Sequence, residues 1–245
     1  MNTLSPPLPV AVPVPASVPI LAAPSTQKIV INGEVTLPVI TTLEQFVEWW
    51  KSDECPERGR FAFLAGTFWV DLTMEQGYTH NDVKSEIVSV LRSIVRRNNT
   101  GRTFTDGMLL TIPPDDFSTV PDGMFVLFTT IQAGRVTMVP NQDDVGLVEV
   151  VGSPDMVLEV VSVSSVAKDT VRLPELYHAA GIPEFWRVDA REELRFEILR
   201  RETSGYVPTQ QPDGWWRSDV FGADFLLIGE ADLLGQPQFT LQHRP

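Results

Sequence analysis

Hydrophobic positions along the chain fall into two periods, one helical and one alternating, and together they predict strands interleaved with a few helices. Leu43 to Lys51 carries Phe46, Val47, Trp49 and Trp50 behind a capping Thr41 or Thr42, which predicts a short amphipathic helix. Ile87, Val90, Leu91, Ile94 and Val95 repeat at helical spacing and predict a long helix over 81–98, stopped by Asn98-Asn99-Thr100-Gly101. A third helix is expected over 166–180, ended by Gly181 and Pro183. Strand-like runs occur at 61–64 and 68–72 around Gly66, then at 108–112, 123–128, 156–161, 184–188 and 194–199. A further strand and covering loop are expected from Trp215 to Leu241, while 113–116 and 133–144 read as loops. Near the start, Ile29–Ile31 and Val35–Leu37 flank Asn32-Gly33, whose preference for positive φ predicts a small hairpin.

One run breaks its own pattern. Met156, Val157, Leu158, Val160 and Val161 are nearly continuous and read as a strand buried on both faces, yet Glu159 sits among them. A buried carboxylate needs a partner or a metal. Asp155 lies on the same side of that strand, but four residues of strand rise span about 13 Å, so the two acids cannot share one ion. A second acid must come from a neighbouring strand, and Asp122, heading the apolar run Gly123–Phe128, is the candidate. His80, at the start of the long helix, reads as a packed or capping imidazole ahead of a catalytic one.

Composition narrows the function. The chain has 245 residues and a formal net charge of −13, which opposes broad, non-specific attraction to nucleic acid and leaves only local basic patches such as Arg92, Arg96, Arg97 and Arg102. A single cysteine, Cys55, excludes an internal disulfide and fits a reducing cytoplasm. Prolines recur through residues 1–26, so that apolar stretch reads as a polyproline or disordered arm and not as a signal peptide; residues 27–245 read as one domain. No stretch reaches the roughly 18 apolar residues of a membrane span. Ser162, Ser164 and Ser165 cluster, but without a nucleophile elbow they do not make a serine hydrolase.

Four segments taken together, Thr79-His80-Asn81, Val120-Pro121-Asp122, Pro154 to Ser162, and Tyr177 to Asp189, resemble the Uma-type restriction endonuclease family, a branch of the PD-(D/E)XK nuclease superfamily, over roughly Thr41 to Leu233. The resemblance implies an α/β, restriction-endonuclease-like mixed sheet flanked by helices. It also implies hydrolysis of DNA phosphodiester bonds with Mg²⁺ or Mn²⁺, and a homodimer. Asp122 and Glu159 match the two metal-holding acids, and Asp155 matches an aspartate at the strand's entry, in an outer-shell or turn-capping place. The sequence departs from the pattern at the lysine. Two residues after Glu159 stands Val161, and the alternative family position, four residues before Tyr177, is Leu173. Lys168 and Arg172 lie on the same expected helix as cationic replacements, with Lys168 the candidate; Arg172, one residue from Leu173, faces about 100° away from it. In a regular helix, however, five residues separate side chains by about 140°, and Pro174 disturbs that helix further. The implied function is therefore a metal-dependent endodeoxyribonuclease, with a catalytically weakened, nuclease-like binding or scaffold protein as the alternative.

Overall fold

The computed structural model describes residues 28–31, 35–74, 76–141 and 146–245. The proline-rich stretch 1–26 and the Asn32-Gly33 turn lie outside them. Contacts divide the chain into Met1–Val39 and Ile40–Pro245. In the first unit, β1 (Lys28–Ile31) and β2 (Val35–Pro38) pair antiparallel as the expected hairpin.

The second unit opens with α1 (Leu43–Trp50), where Thr42 Oγ1 accepts from the Gln45 amide as N-cap. It continues through β3 (Arg60–Leu64) and β4 (Thr67–Asp71) to a π-helical turn at Gly77–Asp82, which runs straight into α2 (Val83–Asn98). Next come β5 (Gly101–Thr105), β6 (Leu109–Ile112), β7 (Phe117–Thr119), β8 (Gly123–Leu127) and the short α3 (Phe128–Gln132). They are followed by β9 (Val136–Pro140), β10 (Leu147–Gly152) and β11 (Met156–Val160). A second π turn at Lys168–Arg172 leads into α4 (Leu173–Ala179). The chain closes with β12 (Glu184–Asp189), β13 (Arg195–Glu202), β14 (Gly205–Pro208), β15 (Trp216–Ser218), β16 (Ala223–Ala231) and β17 (Pro237–Arg244).

The fold is α/β with mixed sheets, as expected. One six-stranded sheet has the order β14-β13-β12-β11-β8-β5, the other β4-β3-β7-β6-β10-β9, and β15-β16-β17 form a third sheet. Parallel pairing occurs between β11 and β12 and between β6 and β10, and the remaining pairs are antiparallel. Every residue of β11 is buried, which accounts for its nearly unbroken apolar run. Alternation sends its two faces to different cores. Met156, Leu158 and Val160 pack with Val83, Ile87 and Leu91 of α2, whereas Val157 packs with Leu173, Leu176 and Tyr177 of α4. Each such fully buried aliphatic side chain contributes about 1.5–3 kcal/mol, so the central strand is held firmly from both sides.

Three departures from the sequence-based expectation have physical causes. The loop expected at 133–144 contains β9, whose single buried position, Val136, gives almost no alternating signal. β5 and β10 escape sequence reading for the same reason, being half-buried and rich in Gly, Thr or Val. The helix expected over 166–180 is present from Val166 to Ala179, but it is not regular: a π-type segment at Lys168–Arg172 interrupts it ahead of α4. Pro174 lacks the N–H an unbroken α-helix would use, and the chain places it in the first turn of α4, where that donor is not required.

Candidate functional site

Asp122 and Glu159 meet because of strand register. Leu158 of β11 is opposite Gly123 of β8, so one further step places Glu159 opposite Asp122 across an antiparallel pair. The Val160 amide donates to Asp122 Oδ2 at 2.7 Å and fixes the carboxylate against β11. Both acids are buried and both line a cavity of about 590 Å³, whose wall also includes Asp71, Asp106, Trp69 and Lys168. Glu159 shares the α4 side of the sheet with Val157, and there the Tyr177 hydroxyl donates to its Oε1 at 2.5 Å.

The two carboxylates have opposite electrostatic surroundings. Burial favours the neutral form of Asp122, but His80, Lys84 and the Val160 amide outweigh it and hold its pKa below the usual range. His80 Nε2 lies 3.4 Å from Asp122 Oδ2, and Lys84 Nζ lies 3.7 Å from Oδ1 and 2.6 Å from Asp106. Burial likewise opposes the charged His80 ring, and the facing Asp122 overcomes this to raise its pKa. Glu159 behaves in the other sense: burial, reinforced by repulsion from Asp169 and Asp122, pushes its pKa well above the ordinary value despite Lys168 and Tyr177. A carboxyl in that position is stabilised by added positive charge.

Lys168 reaches this acid pair through the π turn. The Leu173 amide bonds to the Lys168 carbonyl, an i→i+5 closure that stacks the two residues far more nearly than the offset of about 140° in a regular α-helix. Burial disfavours the ammonium, but Asp169, Glu159 and Asp122 together raise the Lys168 pKa, so it is a fixed cation and not a base. Asp169 Oδ1 lies 3.3 Å from Lys168 Nζ, and the Ser165 hydroxyl donates to the other oxygen of Asp169.

Asp155 is placed elsewhere. Its Oδ2 accepts from the Leu127 amide at 2.7 Å, while Oδ1 accepts from the Thr130 hydroxyl at 2.8 Å and Arg135 Nη2 at 2.7 Å. It anchors the start of α3 at the far end of β8 and does not line the cavity among the described residues. Sequence reasoning passed over Tyr177, Lys84 and Asp169 as members of the site, and gave His80 a packing or capping role. Tyr177 was visible only as a motif residue; its contact with Glu159 depends on α4 crossing the sheet at that level.

The family Uma2, described as "Putative restriction endonuclease", matches residues 43–226, a span that contains Asp122, Glu159, Lys168 and Tyr177. The chain belongs to this family. A solved structure described as a "putative nuclease belonging to DUF820", from Anabaena variabilis, is similar in fold, with a TM-score of 0.55 and 22% identity over 75% of this chain and 92% of that one. None of the curated proteins compared with the chain matches it. Against the Uma-type lysine pattern, Leu173 is fully buried in the α4 core; among the described residues Lys168 and Arg60 are the cations that line the cavity, and Lys84 lies beside Asp122.

The donor set can be tested against the divalent ion that the family resemblance implies. Among the described residues no group of three or more His, Cys, Asp or Glu side chains is arranged to hold a metal. Mg²⁺ does not require one, since it keeps several waters and is held through one or two carboxylates. Two hard oxygen ligands on one wall, one of them destabilised by its own negative neighbours, fit such an ion. No helix among the described residues is long and apolar enough to cross a membrane.

Proposed function

We propose that this protein is a divalent-metal-dependent endodeoxyribonuclease in which Asp122 and Glu159 hold Mg²⁺ or Mn²⁺. The observation that carries the reading is the convergence of those two carboxylates and Lys168 on one cavity wall. The metal would supply a Lewis acid for the phosphodiester and lower the pKa of its bound water. Asp122, kept ionised by His80, Lys84 and the Val160 amide, supplies a permanent anionic ligand. Tyr177 fixes the rotation of Glu159 by donating to one oxygen and leaving the other for the cavity. Lys168, held protonated by three acids, stabilises the charge that builds on the phosphate oxygens as water adds to phosphorus and the P–O bond to the leaving hydroxyl breaks.

The second reading, a nuclease-like binding protein with weakened catalysis, rests on Leu173 at the family's lysine position. One set of variants separates the two. Plasmid and linear DNA are incubated with Mg²⁺ or Mn²⁺ at low salt, and metal binding is followed by calorimetry. Asp122→Asn and Glu159→Gln are expected to lose the metal heat and all cleavage while remaining folded. Lys168→Ala is expected to keep the metal heat but lose about 10²–10³-fold in rate, the usual loss when one transition-state donor is removed. Adding Leu173→Lys to Lys168→Ala is expected to restore part of that rate, because a lysine stem follows the apolar α4 face toward Glu159. Metal binding without cleavage in the wild type and in every lysine variant would replace the enzyme by the binding protein.

A further inference from the structure

The strongest feature outside the acid site is a patch of positive charge that contrasts with the rest of the molecule. Residues 87–105 contain Arg92, Arg96, Arg97 and Arg102 and no acid, in a chain whose net charge is −13. All four are exposed, and among the described residues none has an ion-pair partner. Elsewhere, Arg135, Arg187, Arg191, Arg200, Arg217 and Arg244 each pair with a carboxylate, while Arg58, Arg172, Arg195 and Arg201 form no ion pair among the described residues but lie on separate segments with acids close by in sequence. Arg96 and Arg97, in the last turn of α2, complement the negative end of the helix dipole. That account does not reach Arg92, one turn earlier, where the like-charged Arg92–Arg96 pair costs a few tenths of a kcal/mol. Nor does it reach Arg102, which lies on a strand.

Local structure gathers these residues at one corner. α2 ends at Asn99 in the left-handed conformation (φ 50°), and the chain turns at once into β5. Gly101 makes that turn possible, since a Cβ there would lie 2.2 Å from the Val126 carbonyl oxygen. β5 is the edge of its sheet. Arg102 is opposite Val126, and Phe104 is opposite Met124. Val126, Met124 and Phe104 all belong to the core on the α4 side, so Arg102 projects from the same sheet face as Asp122 and Glu159. Gly123 is opposite Thr105, which brings Asp122 level with Asp106. Arg102 is therefore four strand residues, about 13 Å, from the acid pair on the same face.

We infer that the arginines of the α2–β5 corner form a binding surface for the sugar-phosphate backbone of the DNA, engaging it a few nucleotides away from the bond held at Asp122 and Glu159. The chemistry is that of exposed guanidinium groups released from internal acids, which neutralise phosphates and displace their counterions without reading sequence. It explains how a strongly acidic protein approaches a polyanion: Arg102 stands on the edge strand on the face of the acids, and Arg92, Arg96 and Arg97, on α2 against the opposite face, extend the positive charge round that edge, since α2 packs against β5. The inference rests on the nuclease reading for its substrate, but its test does not need cleavage.

Binding of a fluorescent duplex of about two helical turns is measured by anisotropy in EDTA, as a function of salt between about 50 and 200 mM. The full-length wild type is compared with R92Q/R96Q/R97Q/R102Q and with the matching Arg→Lys variant. The slope of log affinity against log salt is expected to fall by about 0.9 for each phosphate no longer neutralised, up to about 3.6 for four, with at least a tenfold loss of affinity at the middle of the salt range. The lysine variant retains most of the slope. An unchanged slope in the glutamine variant overturns the inference. So does a loss of self-association by light scattering in that variant with DNA binding intact, which would make the corner an interface between copies. Arginine-dependent binding with no metal-dependent cleavage by the wild type leaves the surface standing and removes the nuclease reading instead.

Discussion

Asp155 offers the sharpest test of whether an acid in a family motif is there for chemistry or for the fold. Replacing it by alanine removes the acceptor for the Leu127 amide at the start of α3 and for the buried Thr130 hydroxyl. It also releases Arg135, whose side chain is 49% exposed and regains water. Each buried donor left without an acceptor costs about 1–3 kcal/mol, while a half-exposed ion pair contributes about 0–1 kcal/mol. The Leu127 amide is only part-buried, so its loss falls at the low end. The sum is about 3 kcal/mol. At a urea m-value of about 1–3 kcal/mol/M, the unfolding midpoint drops by on the order of 1 M. Asp155→Asn is expected to cost nearly as much, because its amide group presents a donor to Leu127 N–H or to the Thr130–Arg135 pair. Urea unfolding by tryptophan fluorescence gives the shift, and calorimetry on the folded variant gives the metal affinity, which is expected to match wild type. A midpoint within a few tenths of 1 M of wild type, or loss of metal binding by a folded Asp155→Asn protein, would refute the assignment of Asp155 to the fold.

Two further outcomes test other parts of the structure. Burial raises the pKa of Glu184 despite donation from Trp186 Nε1, Ser218 Oγ and the Val220 amide, so its contribution to stability is full below the unfolded carboxyl value, about 4.3, and is lost as pH rises through the higher folded value. Glu184→Gln is therefore expected to be destabilised by about 1–3 kcal/mol through a donor–donor mismatch, with a deficit that shrinks from acid toward neutral pH; a deficit that grows over that range would contradict the sign. Burial pushes the Cys55 thiol up to about 11, so alkylation by iodoacetamide near pH 8 is expected to run about 10²-fold slower than for an unperturbed cysteine, and a rate equal to the free thiol would show that Cys55 is solvated.

The sequence alone determined those features whose signal is local. Helical spacing marked α1 and α2, Thr42 marked a cap, and a nearly unbroken apolar run interrupted by one acid marked both β11 and Glu159, because burial on two faces leaves no polar position except one with a task. The motif residues around Asp122 and Glu159 were likewise readable, since residue types and their order survive in one dimension. Tertiary structure decided which of these meet. Strand register, a pairing between segments far apart in the chain, put Asp122 beside Glu159 and left Asp155 about 13 Å down the strand at the start of α3. A π segment just ahead of Pro174 shifts the phase of that helix, and the shift turns Lys168 toward the acids when regular helical geometry pointed it elsewhere. The crossing of α4 over the sheet brought Tyr177 to Glu159, and the turn at Gly101 set Arg102 on the site's face of the edge strand. Periodicity reports which side of an element is buried, but a site is made by what the opposite element presents there, and only the folded chain sets that pairing.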